Sequence, residues 1–74
     1  MASRRYLDTI PDFVAINMQS MKTIRKNLGW ERGYVAEQVG IHPNTINKYE
    51  EDWVLPGKSN YNKLACFFDW EIWE

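Results

Sequence analysis

The sequence predicts an all-α domain, and two observations carry that prediction. Apolar residues recur at three- and four-residue spacing in successive segments, the period of one helix face. The breaks between those segments hold glycine or proline: Gly29, Gly40, Pro43, Pro56 and Gly57. A chain of 74 residues allows one domain, near the size at which a core struggles to support itself. Its four Trp, four Tyr and three Phe offset that by supplying large buried areas.

Residues 1–8, MASRRYLD, show no sustained period, so 1–10 reads as an N-terminal arm ahead of a single domain at 11–74. Arg4 and Arg5 are either a solvated terminal pair or a contact to phosphate or a minor groove. Thr9 or Asp12 is expected to cap the first helix, with Pro11 in its first turn. Val14, Met18, Met21, Ile24 and Leu28 then mark its inward face, and Gly29 stops it. The weak formers from Asn17 to Met21 leave open a break into a short turn and a later helix. A second helix runs from about Glu31 to Val39, with Val35, Ala36 and Val39 inward; Gly33 inside it costs about 1 kcal/mol relative to Ala.

Gly40 to Glu50, GIHPNTINKYE, reads as a tight turn and a new helix of residues 43–51. Gly40 can take the left-handed conformation that ends a helix, and Pro43 suits the first helical position. Ile41, Ile46 and Tyr49 are its apolar positions. Asn44, Asn47 and Lys48 fall on the opposite side, with groups able to bond base edges and phosphates. A polar outer face is also what any surface helix shows, so context must decide. Residues 52–58 form a loop, and a fourth helix spans about Lys58 to Phe68 with Tyr61, Leu64, Ala65 and Phe68 inward. The tail, DWEIWE, alternates apolar and acidic residues, a period that suits an extended strand better than a helix.

The net charge of −1 is unlike that of a strong nonspecific DNA binder. Its distribution is uneven: Arg4, Arg5, Lys22, Arg25, Lys26 and Arg32 outnumber the four acids of residues 1–37, while residues 38–74 carry three bases against six acids. Attraction to a polyanion must therefore come mostly from the first half. A single cysteine, Cys66, excludes a disulfide framework and reads as a small buried residue in a reducing cytoplasm. One His and one Cys assemble no zinc site, and neither a nucleophile–base pair nor a phosphate loop is visible, so no metal, cofactor or enzymatic activity is expected. No apolar run suggests a membrane span or a secretion signal, and a cytoplasmic location is expected.

From Ile24 to Trp70 the chain resembles the helix-turn-helix domain of the phage Cro and repressor (XRE-like) family. Arg25 stands at that family's helix-one Arg, Val35-Ala36 and Gly40-Ile41 at the end of helix two and the turn, Ile46 and Glu50 in the third helix, and Pro56 and Leu64-Ala65 in the loop and fourth helix. The resemblance implies a lambda-repressor-like, compact bundle of four to five helices, to which the alternating tail adds an extended C-terminal segment. It also implies a regulator that binds a double-stranded DNA operator as a homodimer. His42, Pro43, Asn44, Asn47 and Lys48 then lie at or near bases and phosphates, Arg32 touches phosphate, and Arg25 pairs with Glu50. Pro43 cannot read a base, so specificity shifts to Asn44, Asn47 and Lys48.

His42 is the expected N-cap of the third helix but a poor type for it. After that helix the family commonly has Asn-Gly and basic residues, whereas this chain has Glu51, Asp52, Trp53 and Val54. Acids there lower nonspecific affinity, or the loop faces a protein. Two functions follow: a sequence-specific transcriptional regulator, or a helix-turn-helix scaffold turned to protein binding, as in an antirepressor or antitoxin-like partner. The large apolar groups Trp70, Ile72 and Trp73 suggest a dimer contact, with folding back over the chain's own core as the alternative.

Overall fold

The structure, a computed structural model, describes residues 10–74; Arg4, Arg5 and Thr9 lie outside the described residues. Helix α1 is Asp12–Asn27, α2 Arg32–Val39, α3 Pro43–Glu51 and α4 Lys58–Phe68. The described residues are otherwise turns and coil, with no strand.

Pro11, not Asp12, occupies the position before α1, and no side chain caps that helix. Its fixed φ of −63° and extended ψ turn its carbonyl toward Val14 N–H, an alternative to a side-chain cap. The helix runs unbroken through Asn17–Met21. A tertiary bond holds that weak stretch, Asn17 Nδ2 donating to the Tyr61 hydroxyl at 2.9 Å.

The buried stripe of α1 is Val14, Met18, Met21 and Arg25, and Leu28 is 53% exposed instead of inward. The helix ends at Asn27, Leu28 stays αR with its N–H on Ile24 O, and Gly29 at φ 76° closes the turn: Gly29 N–H reaches Lys26 O and Trp30 N–H reaches Arg25 O. Leu28 thus keeps helical phase, but it stands at the very end of α1, past the last core side chain of that helix. Gly40, at φ 74°, ends α2 in the same left-handed way, and the N–H groups of Gly40 and Ile41 both return to Ala36 O. That turn sets the direction of α3.

Helix α2 packs against α3 and α4, and α1 packs against α3. The core takes Val14, Met18 and Met21 from α1, Val35 and Ala36 from α2, Ile46 and Tyr49 from α3, and Tyr61, Leu64 and Ala65 from α4. Ile41 in the turn completes it. Each large side chain so buried stabilises the fold by roughly 1.5–3 kcal/mol relative to exposure. Cys66, expected to be buried, is exposed, because one residue past Ala65 turns it about 100° away from the inward stripe.

After Asp69, which adopts φ 63°, the tail leaves α4 and lies back against it. The Tyr61 hydroxyl donates to Glu71 O at 2.7 Å, and Asn62 exchanges two 2.8 Å bonds with the backbone of Trp73. Trp70 stacks on Phe68 with centroids 4.8 Å apart. Trp70 and Trp73 are thus packed within their own chain, and Ile72 is the exposed member of the three.

Candidate nucleic-acid interface

Helix α3 has two sides of opposite character. Ile46, Tyr49 and Glu50 are buried beneath it, while His42, Pro43, Asn44, Asn47 and Lys48 are exposed above. At its start His42 Nδ1 accepts the N–H of Asn44 at 3.1 Å. His42 therefore does cap the helix: its ring nitrogen takes over the role of the hydroxyl or carboxylate oxygen found at most N-caps. Pro43 follows at the first helical position and needs no such partner.

The underside is fixed by charge as well as by packing. Arg25 of α1 grips Glu50 with both branches of its guanidinium, Nε to Oε2 at 2.8 Å and Nη2 to Oε1 at 2.9 Å. Its remaining branch donates to Trp30 O at 2.8 Å. Arg25 and Glu50 are 6% and 5% exposed, so this is a desolvated, two-pronged pair. Tyr49 is held too, its hydroxyl accepting Asn60 Nδ2 at 3.1 Å. Among the described residues no buried side-chain polar atom lacks a partner.

A second, solvated charge group lies at the C-terminal end of α3. Lys22 Nζ stands 2.9 Å from Glu51 Oε2, and Arg32 Nη1 stands 3.5 Å from the same oxygen. The hydrogen bond and charge of Lys22, with smaller contributions from Arg32 and Lys26, hold the Glu51 carboxyl below its ordinary pKa. The repulsion that Glu51 would exert on a nucleic-acid backbone is therefore partly answered within the chain. Arg32, at the start of α2, also donates through Nη1 to Asn47 Oδ1 at 2.7 Å. Of the residues singled out by sequence, Arg32 and Asn47 are in direct contact, and Asn44 and Lys48 share their exposed face.

A family model described as helix-turn-helix matches residues 21–70. The chain belongs to this XRE-like, DNA-binding family. No curated protein and no solved structure gives a significant match.

In this helix-turn-helix protein, α2, the Gly40 turn and α3 form the unit for which the family is named, and the family's work is DNA-binding regulation. Lys22 belongs to the charge group beside α3 but was not among the residues expected at the site. Its signal was weak, since it stands 29 residues from Glu51 in the chain. The Arg32–Asn47 contact also escaped sequence reasoning, because it depends on how a long side chain crosses between two helices. Among the described residues no cluster of three or more His, Cys, Asp or Glu side chains is placed to hold a metal. None of their helices is long and apolar enough to cross a membrane.

Proposed function

We propose that the chain is a sequence-specific transcriptional regulator in the cytoplasm, of the phage or mobile-element repressor type, that reads the major groove with α3. The observation that carries this reading is the division of that helix: a locked, charge-clamped underside and an outer face of Asn44, Asn47 and Lys48 left in solvent. Asn44 offers the donor and acceptor groups that base edges recognise, Asn47 offers its amide donors, and Lys48 donates to guanine O6 or N7 or to phosphate. His42 and Pro43 set the approach of the helix start, and Arg32 lends positive charge beside it.

A single helix-turn-helix reads one half-site, so we infer that two copies bind together, with half-sites about 34 Å apart. In the tail, Ile72 is the apolar group available for a contact between copies, since Trp70 and Trp73 are packed inward. Sedimentation of the parent and of Ile72→Ser at micromolar concentration, free and on a palindromic duplex, measures this. A parent that stays monomeric in both states rules the dimer out.

The deciding experiment for function is selection of binding sites from random duplexes. The expected result is an enriched two-fold-symmetric sequence whose affinity falls steeply with salt, with a log–log slope near −0.9 per phosphate contact. No enrichment at any salt overturns the reading. A protein-binding role has one specific observation in its favour: Trp53, Val54 and Leu55 line an open groove against Ala15 and Met18, and Trp53 is 62% exposed. A failed selection together with stoichiometric binding of a protein at Trp53, lost in Trp53→Ala, would establish it.

A further inference from the structure

Arg32 opens α2, yet its guanidinium belongs to α3. Nη1 donates to Asn47 Oδ1 at 2.7 Å, Nε lies 3.7 Å from Glu50 Oε1, and Nη1 lies 3.5 Å from Glu51 Oε2. Both acids are anchored from the other side, Glu50 by Arg25 and Glu51 by Lys22. The guanidinium is thus held between fixed carboxylates and a group on the outer face of the helix.

A guanidinium has five donors and no acceptor, so the Asn47 atom turned toward it must be the oxygen. The Nδ2 amino group then points away from Arg32. We propose, building on α3 as the major-groove helix, that Arg32 determines specificity through Asn47: it turns the carboxamide oxygen back toward the guanidinium so that the Nδ2 donors face the base. An unconstrained Asn pairs with adenine using both atoms, its oxygen accepting from N6 and its nitrogen donating to N7. Here that oxygen already accepts from Arg32, and an adenine N6 amino group brought to its second lone pair would stand against the donors of the guanidinium. Guanine presents O6 and N7, two acceptors, to the same place. The pair Arg32–Asn47 therefore selects guanine at the position where Asn47 alone would accept adenine.

The test uses the full chain on four duplexes that differ at the base pair whose preference Asn47→Ala abolishes. The parent should prefer guanine there by about tenfold or more. Arg32→Ala should shift that preference toward adenine, whereas in an Asn47→Ala background it should leave the ratio of the four affinities unchanged. Because Arg32 is partly exposed, its removal should leave the thermal unfolding midpoint close to the parent's, which circular dichroism checks. A parent that prefers adenine at this pair overturns the proposal. So does an Arg32→Ala protein that loses affinity equally on all four duplexes, with a salt slope lower by about one unit, the signature of a plain phosphate contact. Either result leaves α3 as a DNA reader, while a parent that selects no sequence removes that reading and this one together.

Discussion

Glu50 and Glu51 are neighbours, close the same helix and carry the same charge, yet they occupy opposite environments. The Glu50 side chain is fully buried against Arg25, and that of Glu51 keeps 47% of its surface in solvent beside Lys22 and Arg32. The difference comes from helical phase: one residue is a turn of about 100°, enough to carry a carboxylate from the core to the rim. Coulomb attraction is similar on paper but differs in its consequences. A desolvated charge that loses its partner has no water to replace it, whereas an exposed one is rehydrated at once.

The largest expected effect breaks the buried pair. Arg25→Ala strands Glu50 in the core and should cost about 3–5 kcal/mol, read as a shift in the denaturant midpoint. A variant as stable as the parent would erase the contrast between the two glutamates. Replacing Arg25 and Glu50 together with apolar residues of similar volume should recover much of that loss, because the penalty lies in the unpaired charge.

Next comes the outer face of the same helix. Asn44→Ala should leave folding almost untouched but cost roughly 1–3 kcal/mol of binding to the selected duplex and relax preference at one base pair. Equal loss on selected and random duplexes would show that this face does not read bases. A smaller effect is expected at Trp53, just beyond the acidic pair. It holds φ 58° while 62% exposed, a left-handed conformation that costs a bulky residue energy. Trp53→Gly should raise stability by about 0.5–1 kcal/mol in thermal unfolding, and a loss instead would mean that the ring's contacts along the groove outweigh the strain.

The smallest effect belongs to Glu51. Its folded carboxyl titrates below the ordinary value of 4.5, so it favours folding above that pH, and its contribution fades as pH falls through the lower folded value. Glu51→Gln should therefore lower stability slightly at neutral pH, with the difference from the parent vanishing in acid and shrinking in high salt. A difference that persists in acid would assign the effect to packing instead of charge.

Much of this arrangement is legible in the sequence. The limits of α3 and α4 follow from Pro43, Pro56 and Gly57, since a residue with fixed φ or free φ acts locally and leaves its mark in the sequence. Periodicity found the stripe of α1 but carried it one position too far, to Leu28, because it reads helical phase, which Leu28 keeps, and not where the core beneath the helix ends. The tail was the hardest part. Whether Trp70 and Trp73 pack inward depends on Asn62 and Tyr61 offering bonds to the backbone of Glu71 and Trp73, a long-range match with no local signature. At the site, residue types gave the outer face of α3, whereas the Arg32–Asn47 contact depends on side-chain reach between helices.

The three-way grip of Arg25 bears on motion as well as stability. Its guanidinium joins α1 to the end of α3 and to the backbone at Trp30, so α3 cannot peel away without exposing two charges from the core at once. Local opening of that helix should be rarer than its nine-residue length suggests. In amide hydrogen exchange, the N–H groups of Tyr49 and Glu50 should exchange only when the whole domain unfolds, at the same free energy as the core of α1. The surface that meets solvent is then carried on one of the slowest-opening segments of the chain.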